Sequence, residues 1–451
     1  MSEAIASKGV SNGTKWRVML CIFLFYFLGL GFTNQFFNVA LGPMIEDMGW
    51  DATQGAAISN AMFLGMIWFV FVAGFLLDKF SVKKLFVLEI FLVGILFALR
   101  GFAQGFAFFY ALMILYGVLS AFYVPTCVKL ISLWFDGKQI ALANGILTCG
   151  SPAGQLVANT VGFKLALAIG GWKVMYIVTG VLVLVVAVIA IFLVKDRKSE
   201  DAALESAILT KDDLSFGKNI KGVASTPGVW VYCLANGFFV GFVYAIMAFQ
   251  NYVYQNDPGW GLDPTVSGTI PAFSNCVSMC CYVLVPLVFA RLGIQKWWGV
   301  AAIFAAIGAI TLVTIQWFVY SYVFACVAMA TSGFLYGCCL PAPKVLLLQL
   351  PEVSGPRAGT AIGIYTTIER VCVVIFVAII GPRVLAWDPA MHNGEGMSFL
   401  VGRIQMLMYI QPILLAIALF VNKKRYGNIF AHVAKREGTL AAQHAAAEES
   451  K

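Results

Sequence analysis

The chain has 451 residues, of which 61% are hydrophobic and 12% are charged, and its formal net charge is +8 at pH 7. So much apolar surface excludes a soluble globular domain, because about 20 mostly apolar residues span a bilayer as one helix and the chain contains many such runs. The positive charge does not indicate a nucleic-acid partner, since the lysines and arginines mostly flank the apolar runs. The composition predicts a polytopic helical protein whose main partner is the lipid bilayer.

The amino-terminal segment does not resemble a cleaved signal peptide. Met1–Trp16 is polar, and the first apolar run, from about Met19 to Leu41, is too long for the apolar part of a signal. The eleven cysteines lie mostly inside apolar runs without paired spacing, so we interpret them as small buried side chains. The three histidines lie outside these runs, which argues against a metal site or a histidine relay within the membrane: His392, His432 and His444. We expect no cofactor.

Twelve apolar segments are predicted to span the membrane as helices. In chain order they cover residues 17–42, 54–79, 84–103, 106–135, 140–168, 172–194, 227–255, 266–290, 297–316, 318–349, 358–381 and 398–421. A longer polar segment, Lys195–Gly222, divides them into six and six. The expected fold is an all-α membrane protein of two pseudo-symmetric six-helix bundles. Its predicted parts are a first bundle at 1–194, a cytoplasmic linker at 195–225, a second bundle at 226–424 and a cytoplasmic tail at 425–451.

The distribution of basic residues predicts the orientation. If the amino terminus is cytoplasmic, most of the 30 lysines and arginines fall in cytoplasmic segments. An excess of basic residues in cytoplasmic loops is the usual pattern in helical membrane proteins. We therefore expect a multi-pass protein of the cytoplasmic (inner or plasma) membrane with both termini in the cytoplasm.

The two halves of the chain carry a weak internal repeat. At an offset of about 212 residues, GFLLDKFSVKK (Gly74–Lys84) aligns with PLVFARLGIQK (Pro286–Lys296). Asn38 falls near Asn251, and the proline-containing segments that end at Lys129 and Lys344 also correspond. Such repeats are typical of secondary transporters, whose substrate site lies between the repeats at mid-membrane.

The segment GFLLDKFSVKK resembles the loop signature between helices two and three of the major facilitator superfamily. Its matching positions are Gly74, Asp78, Lys79, Lys83 and Lys84, whereas Ser81 replaces the second glycine and the second half has Ala290 in place of the acid. The resemblance covers nearly the whole chain and implies the major facilitator fold. It also implies that Asp78, Lys79, Lys83 and Lys84 form a gate, in which an ion pair made in one state biases the rocking of the halves. The alternative is an ordinary basic loop that sets the topology.

A narrower resemblance covers about 45 residues. Leu133–Gln155, with its LANG and GSP segments, looks like the helix four–five region of monocarboxylate transporters. Gly42–Phe63 resembles the helix one–two region of those proteins and of oxalate–formate exchangers. The chain departs from this group in two places. Its eighth segment, Thr265–Phe289, carries no charge where relatives often have an arginine, and the basic residue that some carry at the end of helix one is absent around Gly42.

Two charged residues lie midway along the eleventh segment, within IYTTIERVCVV. Arg370 shares a helical stripe with Gly359, Gly363 and Thr366, and lies too deep to reach the interface comfortably. A charge at this depth costs roughly 2.5–3.5 kcal/mol, so it marks a functional site by default. Arg370 can form two hydrogen bonds to a carboxylate, and the resemblance to oxalate–formate exchangers implies an anion-binding role. A structural ion pair is the alternative.

Glu369 is predicted to point about 100° away from Arg370 around the helix, so the two need not pair tightly. Glu369 either takes up the coupling proton or forms a structural hydrogen bond to another helix. In helix three, Glu89 lies near Lys83 and Lys84 and is interpreted as reaching toward the interface or pairing with a lysine.

Other polar residues in the apolar segments complete the predicted substrate site. Lys129 and Lys344 either reach toward the cytoplasmic interface or line the cavity. The neutral candidates either bind polar substrate atoms or hold helices together: Asn34, Gln35, Asn38, Tyr123, Gln155, Gln250, Asn251 and Tyr365, with Asn159 and Asn275 as further possibilities.

No catalytic constellation and no nucleotide-binding loop occurs in the sequence, so we expect neither an enzyme nor an ATP-driven pump. The leading hypothesis is a monomeric secondary active transporter that moves a small organic anion, such as a carboxylate, by proton symport or exchange for a counter-anion. The first alternative is a proton-driven exporter of hydrophobic or cationic compounds, for which a buried acid without a nearby basic residue is expected. A non-transporting sensor would need an output module, and neither the central loop nor the short tail resembles a folded one.

Overall fold

A computed structural model describes residues 12–135, 138–194, 221–291, 298–340, 342–348, 350, 353, 357–392 and 394–426. Within these residues every regular element is helical, and the longer helices group into twelve consecutive rods, α1 to α12, with short separate helices at Pro264–Ser267, Ala342–Leu348 and Pro389–Met391. The first six are α1 (Asn12–Phe25, Tyr26–Phe32 and Thr33–Met48), α2 (Ala52–Lys79), α3 (Val82–Arg100), α4 (Phe106–Trp134), α5 (Lys138–Val157, Ala158–Gly162 and Phe163–Ile169) and α6 (Trp172–Leu193). The others are α7 (Pro227–Asn256), α8 (Thr269–Arg291), α9 (Trp298–Val319), α10 (Tyr322–Cys339), α11 (Arg357–Leu385) and α12 (Met397–Met406, Leu407–Tyr409 and Ile410–Tyr426).

The rods follow the predicted segments closely, with two larger differences. α1 extends to Met48 rather than residue 42, and ends where Gly49 adopts a left-handed conformation with φ of +62°. α10 ends at Cys339 rather than residue 349, and a separate short helix, Ala342–Leu348, follows it. The sequence has Pro341 and Pro343 at this break, and proline both lacks a backbone donor and disfavours helix at the residue before it.

The outer surfaces of the rods are apolar. Large side chains are strongly exposed there, among them Trp68, Phe192, Phe304, Val323 and Phe420. Seven rods are long and apolar enough by themselves to cross a membrane: α1, α4, α6, α7, α9, α10 and α12. Among the others, α3 and α11 carry several charged residues. Exposed apolar surface on bundled helices that satisfy their own backbone hydrogen bonds is what a bilayer requires.

Helix pairing links the rods within and between the two halves of the chain. In the first half α2 packs along α4 and α3 along α6; in the second half α7 packs along α11 and α8 along α10. Contacts between the halves are made by α2 with α11, α5 with α8 and α1 with α7. This pattern is consistent with the predicted division into two six-helix bundles. Most of the predicted linker and tail lies outside the described residues.

We call the end of the bundle where α1, α3 and α5 begin the basic face, since it carries Lys15, Lys83 and Lys84. The other end is the opposite face, and the halves of the chain meet near it. Gln255 of α7 donates from Nε2 to the Val39 carbonyl of α1 at 3.1 Å, and to Ser267 Oγ at 2.9 Å. Asn60 of α2 donates to the Val374 carbonyl of α11 at 3.0 Å. These contacts close the interface between the halves on this side.

Two π-helical turns interrupt the rods that cross at the centre of the first half. They are Tyr26–Phe32 in α1 and Ala158–Gly162 in α5, and they contact each other. At the crossing a Cβ on Gly31 would overlap the Ser151 carbonyl oxygen, and one on Gly154 would overlap the Phe27 carbonyl oxygen. Only glycine permits this backbone approach. π turns occur mostly at functional positions, because the extra residue redirects side chains.

Candidate functional site

Two adjoining cavities lie between the halves. The small cavity has a volume of about 110 Å³ and the large cavity about 620 Å³. The large one is within the size range of small-molecule sites. Their linings share seven residues, which makes them parts of one space: Leu30, Val124, Ser151, Gln155, Tyr244, Met247 and Arg370. The lining reaches Asn144 and Lys344 near the basic face, so the space extends toward that face while contacts close the opposite one.

Arg370 lies near the middle of α11, roughly 20 Å from either end of the helix at 1.5 Å per residue. Its Nη2 is 3.2 Å from Oε1 of Glu369, and both side chains are largely buried, with exposed fractions of 18% and 14%. The sequence left open whether these neighbours pair, and in this structure they form an ion pair. Adjacent residues on a helix leave in directions about 100° apart, but both side chains are long enough to curl together in the shared cavity.

A second helix holds the other oxygen of this carboxylate. Asn236 of α7 donates from Nδ2 to Oε2 of Glu369 at 2.8 Å. The approach depends on Gly237, where a Cβ would lie 2.9 Å from the Cys372 sulfur of α11. Glu369 is thus fixed by a charged partner on its own helix and a neutral partner on α7.

The Arg370 guanidinium keeps donors available to the cavity. Among the described residues Arg370 forms one ion pair, in which its Nη2 contacts Glu369. The Tyr244 ring of α7 lies 5.6 Å from Arg370 Cζ, which allows a cation–π contact. A guanidinium has five N–H donors in a planar fork. Because Arg370 lines both cavities, the donors that Glu369 and Tyr244 do not use can bind a planar anion in either.

Amides of α1 form the wall across from Arg370. Gln35 donates from Nε2 to Asn159 Oδ1 of α5 at 2.9 Å, and its own Oε1 is 3.5 Å from Asn38 Nδ2. Asn34, Gln35 and Asn38 all line the small cavity, and their role in substrate binding stays a prediction. Gln35 follows the π turn of α1 and Asn159 lies in the π turn of α5, so the two irregular turns bring these amides together.

The remaining predicted residues divide into those at the cavities and those away from them. Tyr123 lines the small cavity and Gln155 lines both; the large cavity is lined by Gln250, Lys344 and Tyr365. Lys129 and Asn251 do not belong to either lining. Lys129 is partly exposed on α4 and has an interaction of its own. Whether it reaches toward the cytoplasmic interface or serves the cavity stays a prediction. Asn251 is fully buried and does not face the large cavity, because its neighbour Gln250 takes that position on α7.

The predicted gate lies at the basic face between α2 and α3. Asp78 and Lys79 occupy the last turn of α2, and their side chains lie outside the described part of the chain. Ser81, at the position of the superfamily glycine, accepts at Oγ from the Lys84 backbone N–H at 3.3 Å and caps α3. Its φ of −59° does not need glycine. Lys83 is partly buried and Lys84 exposed, so the gate remains a prediction.

Sequence reasoning missed Asn236 and Tyr244. A signal for Asn236 was present, because the tetrapeptide Leu-Ala-Asn-Gly occurs twice, ending at Gly145 and at Gly237. Both of its asparagines, Asn144 and Asn236, line the large cavity. Tyr244 carried no signal, since a tyrosine in an apolar helix is ordinary.

The interpretation of Glu89 as an interfacial side chain is wrong. Its exposed fraction is 4%, although it lies only seven residues from the start of α3. Neither carboxyl oxygen has a hydrogen-bond partner among the described residues. α3 is rotated so that this residue faces the interior together with Phe86, Val93 and Phe97, which are buried at the same helical spacing.

Comparison with known proteins gives the same family over most of the chain. The family model described as Major Facilitator Superfamily matches residues 18–378. A protein of Agrobacterium vitis named "Putative tartrate transporter" is 22% identical over 413 residues, which is 88% of this chain and 93% of the relative. A protein of Cupriavidus necator named "Probable sulfoacetate transporter" is 22% identical, over 89% and 95% of the two chains.

One relative that matches over a shorter stretch and two solved structures are also similar to this chain. A 4-hydroxybenzoate transporter of Pseudomonas aeruginosa is 25% identical over 178 residues, 40% of this chain and 39% of the relative. In three dimensions the chain resembles an inward-facing, unoccupied bacterial homologue of the human lysosomal transporter Spinster, with a TM-score of 0.69, 17% identity and coverage of 91% and 96%. It also resembles a nucleoside transporter, with a TM-score of 0.69, 13% identity and coverage of 91% and 99%. At these identities the structural likeness shows the fold alone.

Proposed function

Because this chain belongs to the Major Facilitator Superfamily and is a multi-pass membrane transporter rather than an enzyme, we propose that it moves a small organic anion, most simply a carboxylate, by alternating access. The observation that carries the proposal is Arg370, a mid-membrane guanidinium on the wall of both cavities with donors left over. The names of the relatives support the class of substrate, since tartrate, sulfoacetate and 4-hydroxybenzoate are all organic anions.

The site is suited to a substrate with one anionic end and a mixed tail. Apart from Arg370, the small cavity is lined by neutral groups. Its polar lining residues are Asn34, Gln35, Asn38, Ser59, Ser120, Tyr123, Ser151 and Gln155, and its apolar ones include Met62, Met66, Met113 and Phe63. The carboxylate binds at Arg370, and the tail lies against the amides of α1. The narrower resemblance to monocarboxylate transporters and oxalate–formate exchangers remains a prediction.

In this proposal Glu369 is the counter-ion of Arg370 in the empty site. An incoming carboxylate competes with Glu369 for the guanidinium, since like charges at a shared cation repel. A proton on Glu369 relieves the repulsion, so anion and proton bind together and the protein acts as a symporter. Exchange of one anion for another also satisfies the geometry, because each anion holds Arg370 in turn.

The orientation follows from the charge distribution. We place the basic face, with both termini, in the cytoplasm of a cell whose inner or plasma membrane holds the protein as a monomer. The large cavity extends toward that face, so the described conformation is inward-facing in this proposal.

The test is uptake into proteoliposomes of radiolabelled L-tartrate, sulfoacetate, 4-hydroxybenzoate, oxalate and lactate, with and without an imposed pH gradient. We expect saturable transport of at least one anion by the wild type, and none by Arg370→Gln. Absence of transport of every anion, together with expulsion of a lipophilic cation such as ethidium, would refute the proposal.

That outcome defines the second candidate, a proton-driven exporter of hydrophobic or cationic compounds. One observation favours it: Glu89 is a buried acid with no basic side chain paired to it among the described residues. Against it stands Arg370 itself, a basic residue on the wall of both cavities next to the acid Glu369.

A further inference from the structure

Glu89 is a buried carboxyl group that the proposed anion site does not use. Its two oxygens are enclosed and lack a partner with hydrogen-bond geometry in the described structure, and so does the hydroxyl of Thr126 on α4, with which Glu89 interacts. Moving an ionised carboxylate out of water without a partner costs several kcal/mol or more, and such groups become neutral instead. An enclosed Glu89 is therefore stable in this conformation when it carries a proton.

Among the described residues, the polar groups that interact with Glu89 come from two helices, and none of them is an acid. α1 contributes Tyr26, and α4 contributes Tyr123 and Cys127, together with Thr126. α6 is apolar at this level, where it buries Ala187 and Ala190.

The basic residues of α3 and of the helices next to it lie above or below Glu89 along the helix axes. On α3 itself they are Lys83 and Lys84 toward the basic face, and Arg100 three turns toward the opposite face. Near the start of α1, Lys15 is buried with an interaction of its own, and on α4 Lys129, about one turn beyond Thr126, also has an interaction of its own. None of these forms an ion pair with Glu89 among the described residues.

Two tyrosines both interact with Glu89 and line a transport cavity. Tyr26, the first residue of the π turn in α1, lines the large cavity and lies within electrostatic range of both Glu89 and Arg370. Tyr123 lines the small cavity and is also within range of Glu89. We call Tyr26 and Tyr123 the tyrosine layer; Glu89 itself lines neither cavity and belongs to the first half of the chain, whereas Arg370 belongs to the second. Tyrosine hydroxyls both donate and accept, so they can pass a proton between cavity water and the carboxyl.

We propose that Glu89 is a second proton-binding residue of the transport cycle. A proton from cavity water passes the tyrosine layer and binds the Glu89 carboxylate, which the closed interior of the first half then holds as the neutral acid. When rearrangement of α1 and α4 admits water to the layer, the acid releases that proton on the other side. Each cycle therefore moves one proton more than the anion site alone requires. The inference rests on the proposed transport function.

The test compares the wild type with Glu89→Gln, which keeps the shape of the neutral acid but binds no proton. Proteoliposomes report anion flux with radiolabelled L-tartrate, or whichever anion of the panel is transported, and proton flux with an entrapped pH-sensitive dye. We expect the proton-to-anion ratio to fall by one while anion exchange continues at close to the wild-type rate. An unchanged ratio overturns the proposal. Loss of exchange in a properly assembled variant also overturns it, since Glu89 would then position the site.

A measurement without substrate separates this inference from the proposed function. Infrared difference spectra of the purified protein between acid and alkaline conditions report the C=O stretch of protonated carboxyl groups. We expect Glu89→Gln to remove one such band that Glu369→Gln retains. If Glu89→Gln leaves every band in place, Glu89 binds no titratable proton and the inference fails, whatever the substrate is. If the band is lost but no organic anion is transported, the proton site stands and the anion proposal fails.

Discussion

Asn236 of α7 donates to Glu369 of α11 across 2.8 Å, while the other oxygen of the same carboxylate lies 3.2 Å from Arg370. The acid that neutralises the cavity arginine is therefore attached to a second helix. Any movement of α7 against α11 changes how strongly Glu369 holds Arg370. The empty site is charge-balanced and keeps the cation ready for an anion.

Replacing Arg370 by glutamine should abolish anion transport and leave assembly intact. Truncating one partner of a buried charge pair costs about 2–5 kcal/mol, so uptake should fall roughly 30-fold or more. Arg370→Lys is the matched control, because it keeps the charge and loses the planar fork, and should retain partial activity. The measurement is initial uptake per assembled protein, with size-exclusion elution as the check on folding. Loss of assembled protein instead of flux would identify a structural ion pair.

Replacing Glu369 by glutamine should separate accumulation from exchange. The neutral amide keeps the hydrogen bond that Asn236 can donate but leaves Arg370 without its charged partner. The empty carrier then cannot return with a balanced site, so accumulation driven by a pH gradient should cease, while exchange of internal for external anion should persist. Both activities are measured on the same liposomes. Accumulation in the variant under a pH gradient alone would show that Glu369 is not needed for coupling.

Replacing Asp78 by asparagine should slow transport without weakening binding. Asp78 lies in the last turn of α2 at the basic face, far along the helix from Ser59 and Met62, which line the small cavity. We expect the maximal rate to fall several-fold while the half-saturating anion concentration for binding stays within about twofold. Lys84→Gln is a useful companion because this exposed lysine, in the first turn of α3, belongs to the same predicted gate. A matching loss of binding affinity would argue against a gate.

Replacing Gly31 by valine should destabilise the protein through the α1–α5 crossing. Any Cβ there overlaps the Ser151 carbonyl oxygen, and forced overpacking costs typically about 1–3 kcal/mol. Thermal unfolding in detergent should shift downward and anion binding should weaken. Gly105→Ala is the control, because a Cβ at that glycine meets nothing within 4 Å. Equal stability of the two variants would mean that the helices can separate at little cost.

The helical segments and the depth of Arg370 could be predicted from the sequence, because hydropathy and helical rise depend on local residues. It could not decide which of two adjacent amides faces the cavity. Gln250 does and Asn251 does not, since helix rotation is set by packing against neighbouring helices. The burial of Glu89 was missed for the same reason: nearby lysines suggested an interfacial residue, whereas the packing of α3 turns it inward. The π turns leave no mark in hydropathy and break the period used to assign faces.

The π turn of α1 has a consequence for insertions and deletions. A π turn is equivalent to one residue added to an α-helix. Removing one residue from Tyr26–Phe32 would therefore convert the turn to regular α-helix and leave the part of α1 beyond it facing as before. Asn34, Gln35 and Asn38 would keep their places on the cavity wall. A residue added to a regular α-helical stretch would instead turn everything beyond it by about 100°. The π turn is thus the place in α1 where the chain can change length by one residue without losing the three amides.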